Sequence, residues 1–243
     1  MTAAIRIGTS GWAYDHWKGP FYPARIGSDA ILATYAQQFD AVELNSTFYR
    51  LPAPETLERW ANTVPSDFRF AVKASRYITH IKKLKDPHET LPPFLERVGL
   101  LGRRLGPVLL QLPPRFRYNG ERLRAVLDAL PDDIDCAFEF RDESWFNDEA
   151  LRLLHARGAA LCLYDLAGRG APQEVTGGFV YVRLHGPNEA YAGRYSDAAL
   201  DHWASALSGW ASAGRLCWCF FDNDADAHAP ADARRLKPRL ESP

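Results

Sequence analysis

Residues 179–185 read Phe-Val-Tyr-Val-Arg-Leu-His, a short run in which aliphatic and polar side chains alternate. Because successive side chains of a β-strand point to opposite faces, positions 180, 182 and 184 share an aliphatic face, and Arg183 and His185 share the other. The aliphatic face suits a covering layer of helices. A charged group buried on the opposite face needs a partner, since burying it alone is strongly unfavourable. The run therefore predicts a buried strand that carries polar groups towards its carboxyl end.

Seven further runs have strand character, and amphipathic stretches separate most of them. The runs are Ile5–Ser10, Ala41–Asn45, Phe68–Lys73, Val108–Leu112, Asp135–Arg141, Ala159–Tyr164 and Leu216–Asn223. Helix starts are predicted at Asn119, Asn147 and Ser196, which can cap a first turn, and at Pro54, which fits a first helical position. Residues 167–178 are rich in glycine and predict a loop in place of one helix.

Eight strands that alternate with helices are typical of a TIM-type (β/α)8 barrel, an α/β fold of about 250 residues. The chain has 243 residues, of which 47% are hydrophobic, and this is enough for the core of one such domain. We therefore expect a single barrel domain over residues 1–243, with a frayed C-terminus at residues 237–243 and one or more helical connections reduced to loops.

The balance of charges limits the classes of partner. The formal net charge is −1, so no basic field covers the whole molecule, and broad binding to nucleic acid or to an anionic membrane is not indicated. The four cysteines lie within apolar runs, as core thiols do, and no apolar run is long enough to span a bilayer. Without an export signal, these features predict a cytoplasmic protein. The oligomeric state stays open.

Applied to all strands, the alternation predicts that polar side chains gather at the carboxyl ends of the barrel strands, where α/β barrels build active sites. Glu43, Glu139 and His185 are the predicted catalytic residues, because two carboxylates can serve as acid and base and an imidazole titrates near neutrality. Cations and aromatic rings around them predict a small anionic or sugar-like ligand. The predicted substrate-binding residues are Ser10, Trp12, Tyr14, Trp17, Asn45, Tyr49, Lys73, Gln111, Arg141, Trp145, Asp165, Arg183 and Asn223. Neither a metal site nor a cofactor is predicted.

Several interpretations of this pattern remain open. The favoured one is an enzyme, with hydrolase, lyase and isomerase chemistry not separated. A second is a nucleic-acid-binding or repair protein with bases stacked in the same cleft, in which case the lysines of residues 80–85 contact phosphates rather than only solvent. A third is a non-catalytic ligand-binding protein. The purely structural alternative is that Glu139 pairs with Arg141 or Arg183 only to close the barrel top.

Six short motifs follow one another along nearly the whole chain. They are Gly8-Thr9-Ser10-Gly11-Trp12, Glu43-Leu44-Asn45-Ser46-Thr47-Phe48-Tyr49, Phe70-Ala71-Val72-Lys73, Leu110-Gln111-Leu112-Pro113-Pro114, Glu139-Phe140-Arg141 and Val182-Arg183-Leu184-His185-Gly186. The set resembles the YecE-like family, domain of unknown function 72 (DUF72). The resemblance implies a TIM-barrel fold and supplies no reaction, although the barrel is broadly similar to those of endonuclease IV and xylose isomerase relatives. One departure is Phe221-Asp222-Asn223-Asp224, which stands where the family commonly reads Phe-Asn-Asn.

Overall fold

The computed structural model describes residues 3–240, in which eight parallel strands form a nearly closed barrel. The barrel strands are β1 (Ile5–Thr9), β2 (Ala41–Leu44), β3 (Arg69–Lys73), β4 (Leu105–Gln111), β5 (Cys136–Glu139), β6 (Ala160–Leu166), β8 (Phe179–Leu184) and β9 (Leu216–Phe221), and a ninth strand, β7 (Arg169–Gly170), lies outside the barrel. Neighbours follow the order β1-β9-β8-β6-β5-β4-β3-β2, and β7 is a short antiparallel partner of β6. The predicted TIM-type barrel is confirmed.

Helices connect the barrel strands on the outside. They are α1 (Ser28–Ala36), α2 (Ser46–Tyr49), α3 (Pro54–Thr63), α4 (Pro87–Gly99), α5 (Gly120–Ala129), α6 (Asp148–Arg157), α7 (Asp197–Ser212) and α8 (His228–Leu240), with 3₁₀ turns at Asp15–Trp17, Gly102–Arg104, Glu143–Trp145 and Ala225–Ala227 and a π-helical turn at Tyr77–Ile81. Within residues 3–240, β6 is the only barrel strand that is not followed by a helix. Its connection contains β7 and irregular chain, as predicted. Every helix in this part of the chain is too short or too polar to cross a bilayer.

The predicted helix starts are confirmed by their hydrogen bonds. The Asn119 side chain accepts a hydrogen bond from the Arg122 amide, at 2.9 Å. Asn147 and Ser196 cap α6 and α7 in the same way, at 3.0 and 3.1 Å, and Pro54 is the first residue of α3. Each side-chain oxygen satisfies an amide that the first helical turn leaves without a partner.

The frayed end expected from Lys237 onward does not begin there. Residues 237–240 continue α8, and the Lys237 ammonium donates to the Gln38 carbonyl at 2.8 Å. The Arg239 guanidinium donates to Asp201 at 2.7 Å and to Asp197 at 2.6 Å. These contacts between helices hold the last turn, and residues 241–243 lie outside the described part of the chain.

Within residues 3–240, β1 and β2 are the only neighbouring barrel strands that no ladder joins, and the boundary between them is called the seam. A parallel bridge joins Ser10 to Glu43, and Tyr35 of α1 bridges the two strands below it. The Thr9 amide donates to the Tyr35 hydroxyl at 2.9 Å, and that hydroxyl donates to the Ala41 carbonyl at 3.2 Å. The side chain thus replaces missing ladder bonds, and the seam holds Ser10 beside Glu43 at the carboxyl end.

The barrel interior is filled by a cluster of side chains that is separate from the larger core under the helices. The cluster consists of Ala41, Ala71, Leu109, Ala137, Ala160, Cys162, Phe179, Tyr181, Trp218 and Phe220. Two residues further along five of these strands, the same face carries a polar group. Those groups are Glu43, Lys73, Gln111, Glu139, Arg183 and, just after β9, Asp222. The apolar layer is therefore the floor of a polar layer at the carboxyl end.

Candidate functional site

Arg183 is the centre of a buried network of charged side chains at the carboxyl end of the barrel. Its Nη2 donates to Glu43 Oε1 at 2.7 Å, and its Nε donates to Glu43 Oε2 at 3.0 Å. Its Nη1 donates to Glu139 Oε2 at 2.7 Å, and Nη2 also reaches Asp222 Oδ2 at 3.1 Å. Arg183, Glu43 and Glu139 have no exposed surface. One guanidinium therefore joins three carboxylates that belong to three different strands.

Glu43 is saturated by hydrogen bonds in addition to those from Arg183. The Ser10 hydroxyl donates to its Oε1 at 2.6 Å, and the Tyr181 hydroxyl donates to its Oε2 at 2.7 Å. Because both oxygens accept at least two hydrogen bonds and neither is exposed, Glu43 has little capacity left for a substrate. Its geometry suits the task of fixing Arg183 in place.

The electrostatics of the network favour its ionised form. Burial acts to raise the pKa of Glu139, but the guanidinium groups of Arg141 and Arg183 outweigh burial and hold that pKa well below its usual range. Burial likewise acts to raise the pKa of Asp222, and Arg183 with the hydrogen bond from His185 lowers it instead. Both carboxyl groups are therefore carboxylates near neutral pH.

The His185 imidazole is held between guanidinium groups on one nitrogen and a carboxylate on the other. Arg141 Nη2 lies 2.9 Å and Arg183 Nη1 lies 3.3 Å from His185 Nε2. A guanidinium has no acceptor atom, so in these hydrogen bonds Nε2 must accept. The proton then sits on Nδ1, which donates to Asp222 Oδ2 at 2.9 Å. Asp222 thus orients the imidazole through Nδ1, and Nε2 faces the two guanidinium groups and lies 3.4 Å from Glu139 Oε1.

Lys73, the last residue of β3, is the cation of the site that lacks an anionic partner. Within residues 3–240, no carboxylate oxygen lies within 4.0 Å of its ammonium, which sits 4.4 Å from the centre of the Phe48 ring. Burial lowers the pKa of Lys73, the nearby Arg183 charge lowers it further, and more distant carboxylates only partly oppose them. A desolvated ammonium without a counter-ion is unfavourable, and an anion placed beside it would offset that cost.

Arg141 follows β5 and lies between the buried network and the mouth of the barrel. Its Nε is paired with Glu139, and its guanidinium lies 5.1 Å from the centre of the Tyr164 ring. Burial raises the pKa of Tyr164 to about 12. Neither hydrogen bond of Arg141 uses Nη1 in the described structure. Arg141 can therefore bind an anion without leaving Glu139.

The remaining polar residues of the predicted site lie in different environments, and only some of them face the charged network. Gln111 ends β4 in register with Glu139, and it is nearly buried in the same layer. Asn223 instead donates to the Gly193 carbonyl at 2.8 Å and to Asp232 at 3.0 Å, which ties it to α8. Asp165 accepts from the Gly168 amide at 3.0 Å in the turn after β6. Asn45 follows β2, and its buried side-chain oxygen Oδ1 has no hydrogen-bond partner in residues 3–240.

Three predicted stacking residues belong to the core instead. Trp17 and Trp145 have no exposed surface, and their indole N–H groups donate to the Asp224 carbonyl at 3.3 Å and the Phe116 carbonyl at 2.5 Å. Trp12 is only 8% exposed and packs edge-on against Trp60 at 4.9 Å. These rings fold back under their loops, so the prediction that they stack on a ligand is not supported.

The two predicted tyrosines have opposite environments. The Tyr14 hydroxyl donates to the Ser10 carbonyl at 2.7 Å, which places it beside the charged network. Burial and nearby carboxylates raise the pKa of Tyr14. Tyr49 is 73% exposed at the end of α2, where its ring can meet a ligand. Tyr14 therefore supports the site from within, and Tyr49 stands at its edge.

Sequence reasoning missed Asp222 of the polar layer, and it missed Tyr181 and Cys162 of the floor beneath it, all of which contact the charged network. Asp222 bonds both Arg183 and His185, Tyr181 bonds Glu43, and the Cys162 thiol lies 3.8 Å from Glu139 Oε2. The signal for all three was the alternation already in use, because each lies on the inward face of its strand. Within residues 3–240, no group of three or more His, Cys, Asp or Glu side chains is arranged to hold a metal ion.

The fold and this network define a TIM-barrel protein with a charged site at the carboxyl ends of its strands. The family described as "Protein of unknown function DUF72" matches residues 6–243, and the chain belongs to that family. UPF0759 protein YunF from Bacillus subtilis (strain 168) is 27% identical over 98% of this chain and 95% of its own length.

Two further comparisons agree with this membership. UPF0759 protein YecE from Escherichia coli (strain K12) is 34% identical over 66% of this chain and 59% of the relative. The crystal structure of a DUF72 family protein from Thermotoga maritima MSB8 superposes with a TM-score of 0.89 at 28% identity. That superposition covers 98% of this chain and 99% of the other. The predicted resemblance to the YecE-like family is confirmed.

Proposed function

We propose that this protein is an enzyme that binds a small anionic or sugar-like substrate at the barrel mouth, with the anion held between Lys73 and Arg141. The observation that carries this proposal is the partly buried Lys73 ammonium, which has no carboxylate partner in residues 3–240, together with an Arg141 guanidinium whose Nη1 makes no hydrogen bond there. Lys73 and Arg141 belong to strands on either side of β4, whose Gln111 lies between them in the sheet. The amide of Gln111 can donate to the same ligand.

The acid–base groups of this proposal are His185 and Glu139. Asp222 holds His185 in the tautomer whose Nε2 can accept a proton, the arrangement that a general base needs. An anion that draws Arg141 Nη2 towards the mouth would leave Arg183 Nη1, at 3.3 Å, as the remaining guanidinium group next to this nitrogen. Glu139, which is ionised, would stabilise positive charge as it develops. Glu43 acts as a positioning residue, since its contacts are with the protein alone.

Phosphate should raise the melting temperature of the wild-type protein and should not raise that of Lys73→Met. Phosphate at ten times its dissociation constant should stabilise the folded state by about 1.4 kcal/mol. The variant itself should be as stable as the wild type, because it removes a desolvated charge that has no partner. Thermal unfolding at rising phosphate concentration, at constant ionic strength, measures both effects.

Lys85→Met is the matched control for this experiment, because it removes an equally charged but exposed side chain from the neighbouring loop. It should keep the full response to phosphate. An unchanged response in Lys73→Met would show that phosphate does not bind at Lys73. A response to sugar acids or phosphate esters without any turnover would favour the non-catalytic ligand-binding alternative.

A second candidate function, binding of nucleic acid, is favoured by the uneven charge around the mouth. The segments after β2, β3 and β4 (residues 45–53, 74–86 and 112–119) hold seven lysines and arginines and a single carboxylate, Asp86. Of these cations only Lys82 has a carboxylate within 4.0 Å in the described chain. Residues 222–226 on the other side hold three aspartates. The seven cations of residues 45–53, 74–86 and 112–119 form a basic rim on one side of the mouth, although the net charge of the whole chain is near zero. A basic rim of this kind suits a phosphate backbone.

A labelled 12-nucleotide single strand should bind with an affinity that falls steeply with salt if the basic rim serves this function. Arg76→Glu/Arg117→Glu changes two exposed rim residues and should weaken binding at least tenfold, as followed by fluorescence anisotropy. Arg103→Glu/Arg152→Glu makes the same charge change on exposed residues outside the rim and should bind as the wild type does. Equal affinities for the two double variants would reject this function.

A further inference from the structure

A cavity of about 760 Å³ lies beside the mouth, on the outer side of α2 and under the start of α3. Its volume falls in the range of small-molecule sites, roughly 300–1,000 Å³. Apolar side chains form most of its wall, among them Leu51, Pro52 and Trp60. The wall is firm, since the Trp60 ring packs edge-on against the buried Trp12 ring at 4.9 Å with an interplanar angle of 86°.

The cavity also carries two positive charges that nothing nearby neutralises. Arg50 and Arg97 both line it, and within residues 3–240 neither has a carboxylate oxygen within 4.0 Å. The Arg97 guanidinium is aimed by a hydrogen bond from Nη1 to the Pro52 carbonyl at 2.8 Å, which leaves its other N–H groups free. A guanidinium fixed at the edge of an apolar wall is suited to a carboxylate or a phosphate.

An aromatic ring completes the site. Tyr49 lines the cavity and is 73% exposed, the largest fraction among the large hydrophobic side chains described as exposed. Its ring is held against Phe48 at 5.0 Å, and Phe48 contacts the Lys73 ammonium on the other side. A planar group that stacks on this ring would remove apolar surface of both partners from water.

From these features we infer that the cavity beside α2 binds a small anion with a planar aromatic group, which stacks on Tyr49 while its anionic group pairs with Arg50 and Arg97. The inference does not depend on the chemistry of the mouth, because none of these residues contacts the Arg183 network. The apolar walls favour the ring, and the two guanidinium groups favour the charge. The two parts together should therefore bind better than either part alone.

Adenosine monophosphate is the probe for this class, with adenosine and inorganic phosphate as its separate parts. Isothermal titration of the intact protein should show binding of the monophosphate at least tenfold tighter than adenosine. Tyr49→Ala and Arg50→Met should each weaken it at least fivefold, a loss within the range measured for a base stacked on a protein ring. Both side chains are exposed, so neither substitution should disturb folding, which circular dichroism checks.

Two control variants test whether a loss of binding is specific to the residues of the cavity. Tyr77→Ala removes another exposed tyrosine, and Arg103→Met removes another exposed arginine, both outside the cavity. Each should bind adenosine monophosphate as the wild type does. Lys73→Met should lose the stabilisation by inorganic phosphate and keep the tenfold preference for adenosine monophosphate over adenosine, which separates this site from the anion site of the mouth. Absence of binding at millimolar concentration overturns the inference. Equal affinities of the wild type, Tyr49→Ala and Arg50→Met overturn it as well.

Discussion

Replacing Arg183 with methionine should destabilise the protein by about 4 kcal/mol or more, the largest loss expected from any single change in the polar layer. Methionine matches much of the volume but supplies no hydrogen-bond donor. Glu43, Glu139 and Asp222 would then stay buried without the guanidinium that bonds all three. Removing one partner of a buried ion pair typically costs about 3–5 kcal/mol. Urea unfolding at pH 7 measures the loss.

The pH dependence separates this loss from a simple packing defect. In the wild type the folded pKa values of Glu139 and Asp222 are depressed, so their stabilisation is present above about pH 4 and is lost as pH falls through the folded values. In Arg183→Met the desolvated carboxylates should have raised pKa values, so protonation then favours the folded state. The stability difference between the two proteins should therefore shrink from pH 7 to pH 4.

Arg103→Met is the control for this prediction, since Arg103 is exposed in the turn before β4. Its stability should lie within about 0.5 kcal/mol of the wild type, as is usual for surface positions. A loss below about 1 kcal/mol in Arg183→Met would show that the network contributes little to folding. A stability difference that stays constant between pH 7 and pH 4 would assign the loss to packing.

The polar layer could be predicted from the sequence because it depends on a local rule. Alternation along each strand fixes the face of a side chain, and parallel strands bring their carboxyl ends to the same rim. That rule placed Glu43, Glu139 and Arg183 together, and the contacts among these three are as short as 2.7 Å. Extended by one residue beyond β9, the same rule would also have predicted Asp222 as a site residue. The residue predicted there was Asn223 instead.

The loops could not be predicted in the same way, because a loop side chain has no fixed face. Trp17 and Trp145 follow strands and carry aromatic rings, as ligand-stacking residues do, but both turn inward and are fully buried. Tyr49 has the same chemistry and is exposed. The difference depends on how each loop folds over the core, which composition does not record. The unpaired state of Lys73 could not be predicted for a different reason, since it depends on distances between side chains of several strands.

The seam between β1 and β2 also escaped prediction, and it leads to the second large effect. Gly8 lies in β1, where an added Cβ atom would stand 2.0 Å from the Ala41 carbonyl oxygen and 2.8 Å from the Ala41 carbonyl carbon. These are backbone atoms that cannot turn aside as a side chain could. On the other side, Gly8 is in register with Phe220 in the β1–β9 ladder, so β1 is not free to move away.

Gly8→Ala should therefore destabilise the protein by about 3 kcal/mol or more, at the upper end of the usual range for overpacking. Separation of the two strands would stretch the bridge that the Tyr35 hydroxyl makes between Thr9 and Ala41. It would also draw Ser10 away from Glu43. The variant should lose part of its response to phosphate as well as stability, because Glu43 positions Arg183 within the layer that surrounds Lys73.

Gly178→Ala is the matched control, because an added Cβ atom at Gly178 meets nothing within 4 Å and its backbone is not in the left-handed region. It should differ from the wild type by less than about 1 kcal/mol in urea unfolding. If Gly8→Ala were equally mild, β1 and β2 would be able to separate without cost. The seam would then not hold the two strand ends in place, and the rigidity of the site would have to come from the Arg183 network alone.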